Sequence, residues 1–115
     1  MGDPAGIGPE VVLKAVAEDE VRRVCVPVII GDAQLLAHTA RTLDLQSGYD
    51  IVRVEETFPE QFSEPVIYHL DNISGSIEPG VESGAAGKAA AGYIEAAVNL
   101  CAAGSIDAIA TAPIN

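Results

Sequence analysis

The sequence has 115 residues, of which 17 are Asp or Glu and only 6 are Lys or Arg, so its formal net charge is -11. This length supports one domain at most, and the negative charge argues against nucleic acid and anionic membrane surfaces as partners, since both attract basic proteins. No apolar run approaches the ~20 residues that cross a bilayer, and no secretory signal pattern is found. We therefore expect a cytoplasmic protein.

The segment Gly2–Glu10 contains three glycines and two prolines, a composition that neither a helix nor a strand tolerates in its interior. A helix is predicted from Gly8 to Asp19, with Pro9 in its first turn, where proline is favoured. A glycine-rich turn that leads into a helix N-terminus presents backbone N–H groups to a phosphate or carboxylate. The alternative is a turn that only reverses the chain.

The next elements alternate between helix and strand, which predicts an α/β fold with a mostly parallel sheet flanked by helices. Strands are expected at Val24–Ile30, Tyr49–Val54 and Val66–Leu70. A second helix is expected to follow Asp32 as its N-cap and to run through Leu43. Residues 55–64 and 71–83 are predicted to be loops.

A long alanine-rich helix is predicted from Ser83 to Ala103, with Gly104 just beyond its end. Its small side chains predict a helix buried in the body of the domain. A last strand, Ile106–Ala110, would deliver Thr111 and Asn115 at its carboxyl end. Ligands of open α/β sheets gather at that edge, so we expect the opening turn and the last strand to border one cleft.

The remaining reactive residues favour structural roles. Cys25 and Cys101 read as buried, unpaired thiols, and His38 and His69 have no metal-ligand spacing to other residues. We therefore predict no metal ligand in this chain.

The string Gly2-Asp3-Pro4-Ala5-Gly6-Ile7-Gly8-Pro9-Glu10 resembles the N-terminal signature of the 4-hydroxythreonine-4-phosphate dehydrogenase family. The terminal string Asp107-Ala108-Ile109-Ala110-Thr111-Ala112-Pro113-Ile114-Asn115 resembles a second block of that family. The resemblance implies an incomplete, isopropylmalate-dehydrogenase-like fold, with residues 1–115 as part of the N-terminal α/β domain of a larger two-domain enzyme. It also implies a short apolar strand before the Gly-Asp-Pro turn.

For the whole enzyme, the resemblance implies oxidation of the secondary alcohol of 4-hydroxythreonine 4-phosphate, with decarboxylation, in pyridoxal phosphate biosynthesis. NAD, a divalent metal ion held by residues outside this chain, a phosphorylated small-molecule substrate and a homodimer are implied with it. A subfamily with similar motifs acts on threonate or erythronate 4-phosphate. Two other readings stay open, namely a different enzyme on a related fold, such as a phosphate acyltransferase, and a non-enzymatic α/β ligand-binding module.

By this resemblance, Asp3, Gly6 and Gly8 are candidate cofactor-binding residues, and Thr111 and Asn115 lie in the substrate's vicinity. Asp3 could instead stabilise its own turn through a side-chain to backbone hydrogen bond. No catalytic residue is carried over to this chain, and we expect the 115 residues alone to be inactive.

Overall fold

The computed structural model describes residues 1–114 and has one three-stranded parallel sheet with helices packed against it. The strands are β1 (Val28–Gly31), β2 (Asp50–Arg53) and β3 (Val66–His69), in the order β1-β3-β2. The helices are α1 (Gly8–Ala17), α2 (Asp19–Val24), α3 (Ala33–Leu43) and α4 (Gly84–Ala102). The predicted α/β class and parallel sheet are confirmed.

The first helix ends earlier than the sequence predicts, and a second short helix follows it. Glu18 adopts an extended backbone (φ -71°, ψ 131°) that separates α1 from α2. Because α2 continues to Val24, the predicted strand Val24–Ile30 is too long at its start. Val24 is 83% exposed, and Cys25 is an exposed free cysteine rather than a buried one.

Helix α3 begins as the sequence predicts. The Asp32 side chain accepts a hydrogen bond from the backbone N–H of Leu35 at 2.8 Å, which satisfies one of the free donors of the first turn. Leu36 and Ala40 then face the core, each 1% exposed. Helix α3 therefore packs on the sheet directly after the carboxyl end of β1.

Helix α4 is capped by Ser83, whose hydroxyl accepts from the backbone N–H of Ala86 at 3.1 Å. Gly104 follows the helix with a positive φ of 77°, the conformation expected of a residue beyond a helix end. One face of the helix is buried, through Ala86, Ala89, Ala90, Tyr93 and Ala97. The other face carries exposed side chains that include Ile94 and Val98, so the predicted burial holds for only one side.

Residues 106–110 do not form the predicted strand. A strand needs a hydrogen-bonded neighbour, and an open gap with a volume of about 120 Å³ separates this segment from β1. Within residues 1–114, no helix is long and apolar enough to cross a membrane.

Candidate functional site

The two ends of the chain meet at the carboxyl edge of the sheet. The backbone N of Met1 donates to the carbonyl oxygen of Ile30 at 2.5 Å, so the opening segment starts beside the end of β1. Two residues later, the backbone N–H of Asp3 donates to the carbonyl oxygen of Pro113 at 3.1 Å. The opening turn and the terminal segment, which the sequence predicts to border one cleft, are therefore in direct contact.

The opening turn is closed by two hydrogen bonds. The backbone N–H of Gly6 donates to the carbonyl oxygen of Asp3 at 3.1 Å, and that of Ala5 donates to the Asp3 side chain at 2.8 Å. Asp3 is buried, with 7% of its surface exposed. Its carboxylate thus has the turn-stabilising contact that was the alternative to ligand binding, and its role toward a cofactor stays a prediction.

Two glycines permit the close approach of the ends. A methyl group at Gly2 would lie 2.5 Å from the carbonyl oxygen of Pro113, and Gly2 has a positive φ of 71°. A methyl group at Gly8 would overlap the carbonyl oxygen of Met1 and lie 3.5 Å from the Ala112 Cβ. Gly8 is buried, so its place in the motif is explained by packing beneath the turn.

Gly6 and Thr111 are the accessible members of the predicted site. Both are exposed, and a methyl group at Gly6 would meet only ordinary contacts, the nearest being the Asp3 Cβ at 3.5 Å. Thr111 lines the open gap beside β1. Asn115, the other substrate-vicinity candidate, lies outside the described residues.

Helix α1 starts beside this turn without a side-chain cap. Its N-cap residue is Ile7, which makes no side-chain hydrogen bond, and Pro9 removes one N–H donor from the first turn. The N–H groups that remain at this end carry the partial positive charge of the helix dipole. An anion approaching the exposed Gly6–Ile7 peptide would meet them.

A groove that the sequence did not predict lies on the other side of Asp3. It is lined by Asp3 together with residues of the loop and first turns of α4, namely Glu82, Ser83, Gly84 and Gly87, and it encloses about 310 Å³. The loop is tied to the opening turn, because the backbone N–H of Gly80 donates to the carbonyl oxygen of Ala5 at 2.7 Å. Asp3 therefore separates the turn from the beginning of α4.

His69 is less isolated in space than in sequence. Within residues 1–114, Asp32, His69 and Asp71 bring potential metal-ligand atoms within 4.8 Å of one another, where the sequence indicated no neighbour for His69. Asp32 and Asp71 follow β1 and β3, whose carboxyl ends lie side by side in a parallel sheet. The local sequence spacing could not show this cluster.

Hydrogen bonding shows that this cluster does not fit a metal ion. The His69 Nδ1 accepts the backbone N–H of Ala33 at 3.0 Å, so a neutral ring carries its proton on Nε2 and has no lone pair left for a metal. Asp32 is already engaged as the N-cap of α3. Both buried side chains thus satisfy donors of the first turn of α3, and His38 lies exposed on that helix.

Tyr93 brings an unpartnered hydroxyl close to this region. The side chain is 3% exposed, lines the gap beside β1, and its hydroxyl has no hydrogen-bond partner within residues 1–114. Burial raises the pKa of this hydroxyl far above its usual value, and the negative charge of Asp32 adds to the shift. Tyr93 therefore stays protonated throughout the physiological pH range.

Sequence comparisons connect the chain with one family. The family model described as pyridoxal phosphate biosynthetic protein PdxA matches residues 23–115. A relative from Oceanobacillus iheyensis, named "Putative D-threonate 4-phosphate dehydrogenase", is 34% identical over 116 residues, which cover 100% of this chain and 35% of the relative. A relative of the same name from Fusobacterium nucleatum is 40% identical over 118 residues, with the same coverage.

The chain is also similar to solved structures of 4-hydroxythreonine-4-phosphate dehydrogenases. A 4-hydroxythreonine-4-phosphate dehydrogenase from Burkholderia phymatum superposes with a TM-score of 0.84 at 39% identity, and one from Klebsiella pneumoniae with 0.75 at 35% identity. Each covers 100% of this chain, which spans 35% of each of those structures. The described residues thus correspond to about a third of the length of these relatives.

Proposed function

The chain belongs to the pyridoxal phosphate biosynthetic protein PdxA family, and we propose that it forms one part of an NAD-dependent dehydrogenase acting on a 4-phosphorylated four-carbon acid. The reaction would oxidise the secondary alcohol of 4-hydroxythreonine 4-phosphate, and the resulting β-keto acid would lose carbon dioxide. We place the enzyme in the cytoplasm as a homodimer. The names of the solved relatives support this substrate class.

One observation carries the proposal, namely the contact between the two segments that resemble family motifs. The Asp3 N–H to Pro113 carbonyl bond holds the opening turn against the segment that contains Thr111. The contact supports a shared ligand site that would include the exposed Gly6 peptide, the uncapped end of α1 and the Thr111 hydroxyl, because ligands of this fold class bind at the carboxyl edge of the sheet.

The described residues contribute binding and positioning. The peptide at Gly6 leaves room for a ligand to approach the backbone, and the end of α1 favours a negatively charged group. Thr111 offers a hydroxyl that donates or accepts a hydrogen bond. NAD, when bound, would accept the hydride from the alcohol carbon.

We propose that the divalent metal ion of the enzyme is not held by the described residues. Asp32, His69 and Asp71 do not fit it, because the His69 ring has no free lone pair, and we propose that the metal ligands and the remaining catalytic groups lie outside residues 1–115. The 115 residues alone are therefore expected to give no NADH with any 4-phosphate substrate. Measurable turnover by this chain would contradict the assignment of the catalytic groups.

A second substrate is favoured by the sequence relatives. Both curated relatives described above carry the name D-threonate 4-phosphate dehydrogenase, whereas the solved structures carry the other substrate name. The direct comparison is kcat/KM of the full-length protein for 4-hydroxythreonine 4-phosphate and for D-threonate 4-phosphate. If neither compound reduces NAD, the proposed function is wrong.

Asp3 allows the cofactor role and the turn role to be separated in the full-length enzyme. Asp3→Asn keeps an oxygen that can accept the Ala5 N–H, whereas Asp3→Ala removes it. If the charge serves the cofactor, Asp3→Asn changes the KM for NAD while the melting temperature is kept. If Asp3 serves only the turn, Asp3→Asn is neutral and only Asp3→Ala loses stability.

Asp50→Asn provides the matched control for this experiment. Asp50 is exposed at the amino end of β2, the strand farthest from the opening turn in the sheet order. The Asp50→Asn substitution removes one negative charge, as Asp3→Asn does, but at a position away from the proposed site. An equal change in the KM for NAD in both Asn variants would indicate a general charge effect and contradict a specific role of Asp3.

A further inference from the structure

Asp3 is only 7% exposed, and yet one of its two carboxylate oxygens has no partner. The Oδ1 atom accepts the backbone N–H of Ala5 at 2.8 Å, whereas no donor among residues 1–114 reaches Oδ2. A carboxylate offers about four acceptor positions, and burying it with few of them used is costly. Since Oδ2 is not enclosed by protein and Asp3 lines the groove at the start of α4, a ligand in that groove can donate to this oxygen.

The opposite wall of the groove is the first turn of α4. The hydroxyl and carbonyl oxygens of Ser83 accept the backbone N–H groups of Ala86 and Gly87. The N–H groups of Gly84 and Ala85 have no acceptor within residues 1–114, and they carry the partial positive charge of the helix dipole. A methyl group at Gly84 or Gly87 would meet nothing within 4 Å, so a ligand can approach this backbone closely.

The two walls favour groups of opposite charge. The free oxygen of Asp3 favours a cationic donor, and the free N–H groups of α4 favour an anionic oxygen. A phosphate alone does not fit, because its negative charges would lie beside the carboxylate of Asp3. An ammonium and a carboxylate on the same carbon satisfy both walls at once, and the groove volume of about 310 Å³ leaves room for them.

We propose that this groove binds the 2-aminocarboxylate end of the substrate, with its ammonium on the Asp3 Oδ2 and its carboxylate at the N–H groups of Gly84 and Ala85. This assignment rests on the proposed function and adds the group by which the enzyme distinguishes its two candidate substrates. The C2 atom carries an ammonium in 4-hydroxythreonine 4-phosphate and a hydroxyl in D-threonate 4-phosphate. Asp3 is then a specificity-determining residue that favours the amino compound.

The test is a calorimetric titration of both compounds into the full-length protein and its Asp3→Asn variant. NAD is left out, so that no turnover occurs and a cofactor role of Asp3 does not enter the measurement. The asparagine keeps Oδ1 for the Ala5 N–H, and it replaces Oδ2 by an NH₂ group, which cannot accept from an ammonium but can donate to a hydroxyl. We expect the Kd of the amino compound to rise about tenfold or more, as for a lost charged hydrogen bond, and that of D-threonate 4-phosphate to change less than about threefold.

Asp71→Asn is the matched control for the charge. Asp71 is exposed and follows the carboxyl end of β3, so the substitution removes one negative charge at the same edge of the sheet, but at a residue that does not line the groove. The ratio of the two Kd values should stay as in the unmodified protein. A shift in this ratio equal to that of Asp3→Asn would indicate a general charge effect and contradict the role of Asp3.

Gly87→Leu tests whether the groove itself is occupied. The new side chain would fill part of the groove without a clash at its Cβ, and leucine is a better helix former than glycine, so the melting temperature should not fall. We expect the Kd of both compounds to rise about tenfold or more. Ala91→Leu is the control, because Ala91 is exposed one turn further along α4 and does not line the groove. Equal effects of the two leucines on Kd would contradict binding in the groove.

The outcomes for this subsite and for the proposed function are separable. A Kd ratio that Asp3→Asn leaves unchanged overturns the subsite, even where the unmodified enzyme reduces NAD with either compound. Failure of both compounds to bind the unmodified protein overturns it as well. NAD reduction decides the proposed function, so a shifted Kd ratio without any NADH would support the subsite and contradict the dehydrogenase activity.

Discussion

The backbone N–H of Asp3 lies 3.1 Å from the carbonyl oxygen of Pro113, although the two residues are at opposite ends of the sequence. This bond and the close packing of Gly2 on the Ala112–Pro113 peptide hold together the two segments that resemble family motifs. The proposed ligand site depends on this contact, because neither segment alone forms a cleft. The first prediction therefore concerns Gly2.

Gly2→Ala is expected to destabilise the protein more than Gly48→Ala. Both glycines have a positive φ, at 71° and 88°, so each alanine costs about 1–2 kcal/mol in backbone strain. Only at Gly2 would the new methyl group also meet Pro113, whereas Gly48 has open space. Urea unfolding of the two variants measures the difference, and equal losses would show that the two ends are not tightly packed.

His69→Ala is expected to lower the free energy of unfolding by about 1–3 kcal/mol, because it leaves the buried N–H of Ala33 without a partner. His38→Ala is the control, since His38 is exposed on α3, the helix that begins at Ala33. Its effect should be within about 0.5 kcal/mol of zero. A loss for His38→Ala as large as that for His69→Ala would contradict the capping role of His69.

Divalent metal ions are expected to leave the melting temperature of the 115-residue chain unchanged. A ligand that binds the folded state stabilises it in proportion to RT ln(1 + [L]/Kd), so a site formed by Asp32, His69 and Asp71 would raise the melting temperature. Titration with Zn²⁺ and Mn²⁺, followed by thermal unfolding, makes the measurement. If a metal ion raises the melting temperature and the His69→Ala substitution abolishes this rise, then the His69 Nδ1 binds metal and is not occupied by the N–H of Ala33.

Tyr93→Phe is expected to raise the free energy of unfolding by about 1 kcal/mol near neutral pH, because it removes a buried hydroxyl that lacks a partner. The pH dependence should change as well. The pKa of Tyr93 is higher in the folded than in the unfolded protein. The stability of the folded state that depends on this protonated hydroxyl is therefore complete below the unfolded-state pKa of about 10 and is lost as the pH rises above that value.

Between pH 9 and pH 11, the Tyr93→Phe protein should therefore lose less free energy of unfolding than the unmodified protein. This window brackets the unfolded-state pKa of about 10. Tyr68→Phe serves as the control, since Tyr68 is half-buried in β3 and packs against Phe58. Urea unfolding at several pH values provides the data. If the two variants show the same pH profile, the environment inferred for Tyr93 is wrong.

Local signals in the sequence were sufficient for much of the fold. Asp32 and Ser83 each cap a helix as predicted, because a cap depends only on residues within three positions. The burial of Cys25 was predicted wrongly, since the apolar composition of Val24–Val26 does not reveal that α2 extends to Val24. Whether an apolar residue is buried depends on what packs against it.

The proximity of the two ends of the chain was predictable, but their individual contacts were not. The meeting of the two ends followed from the edge rule for parallel sheets, whereas the strand predicted at Ile106–Ala110 failed because pairing needs a neighbour across the gap. The proximity of His69 to Asp32 depends on the register of β1 against β3, in which Gly31 lies opposite His69. No spacing along the chain encodes that register.

The most direct test of the shared site is hydrogen exchange of the full-length protein with and without NAD and a 4-phosphate substrate. We predict that residues 3–8 and 110–114 both gain protection when the ligands bind, while β2, at the far edge of the sheet, does not. Protection confined to other parts of the protein, or to only one of these two segments, would contradict the claim that both border one ligand site.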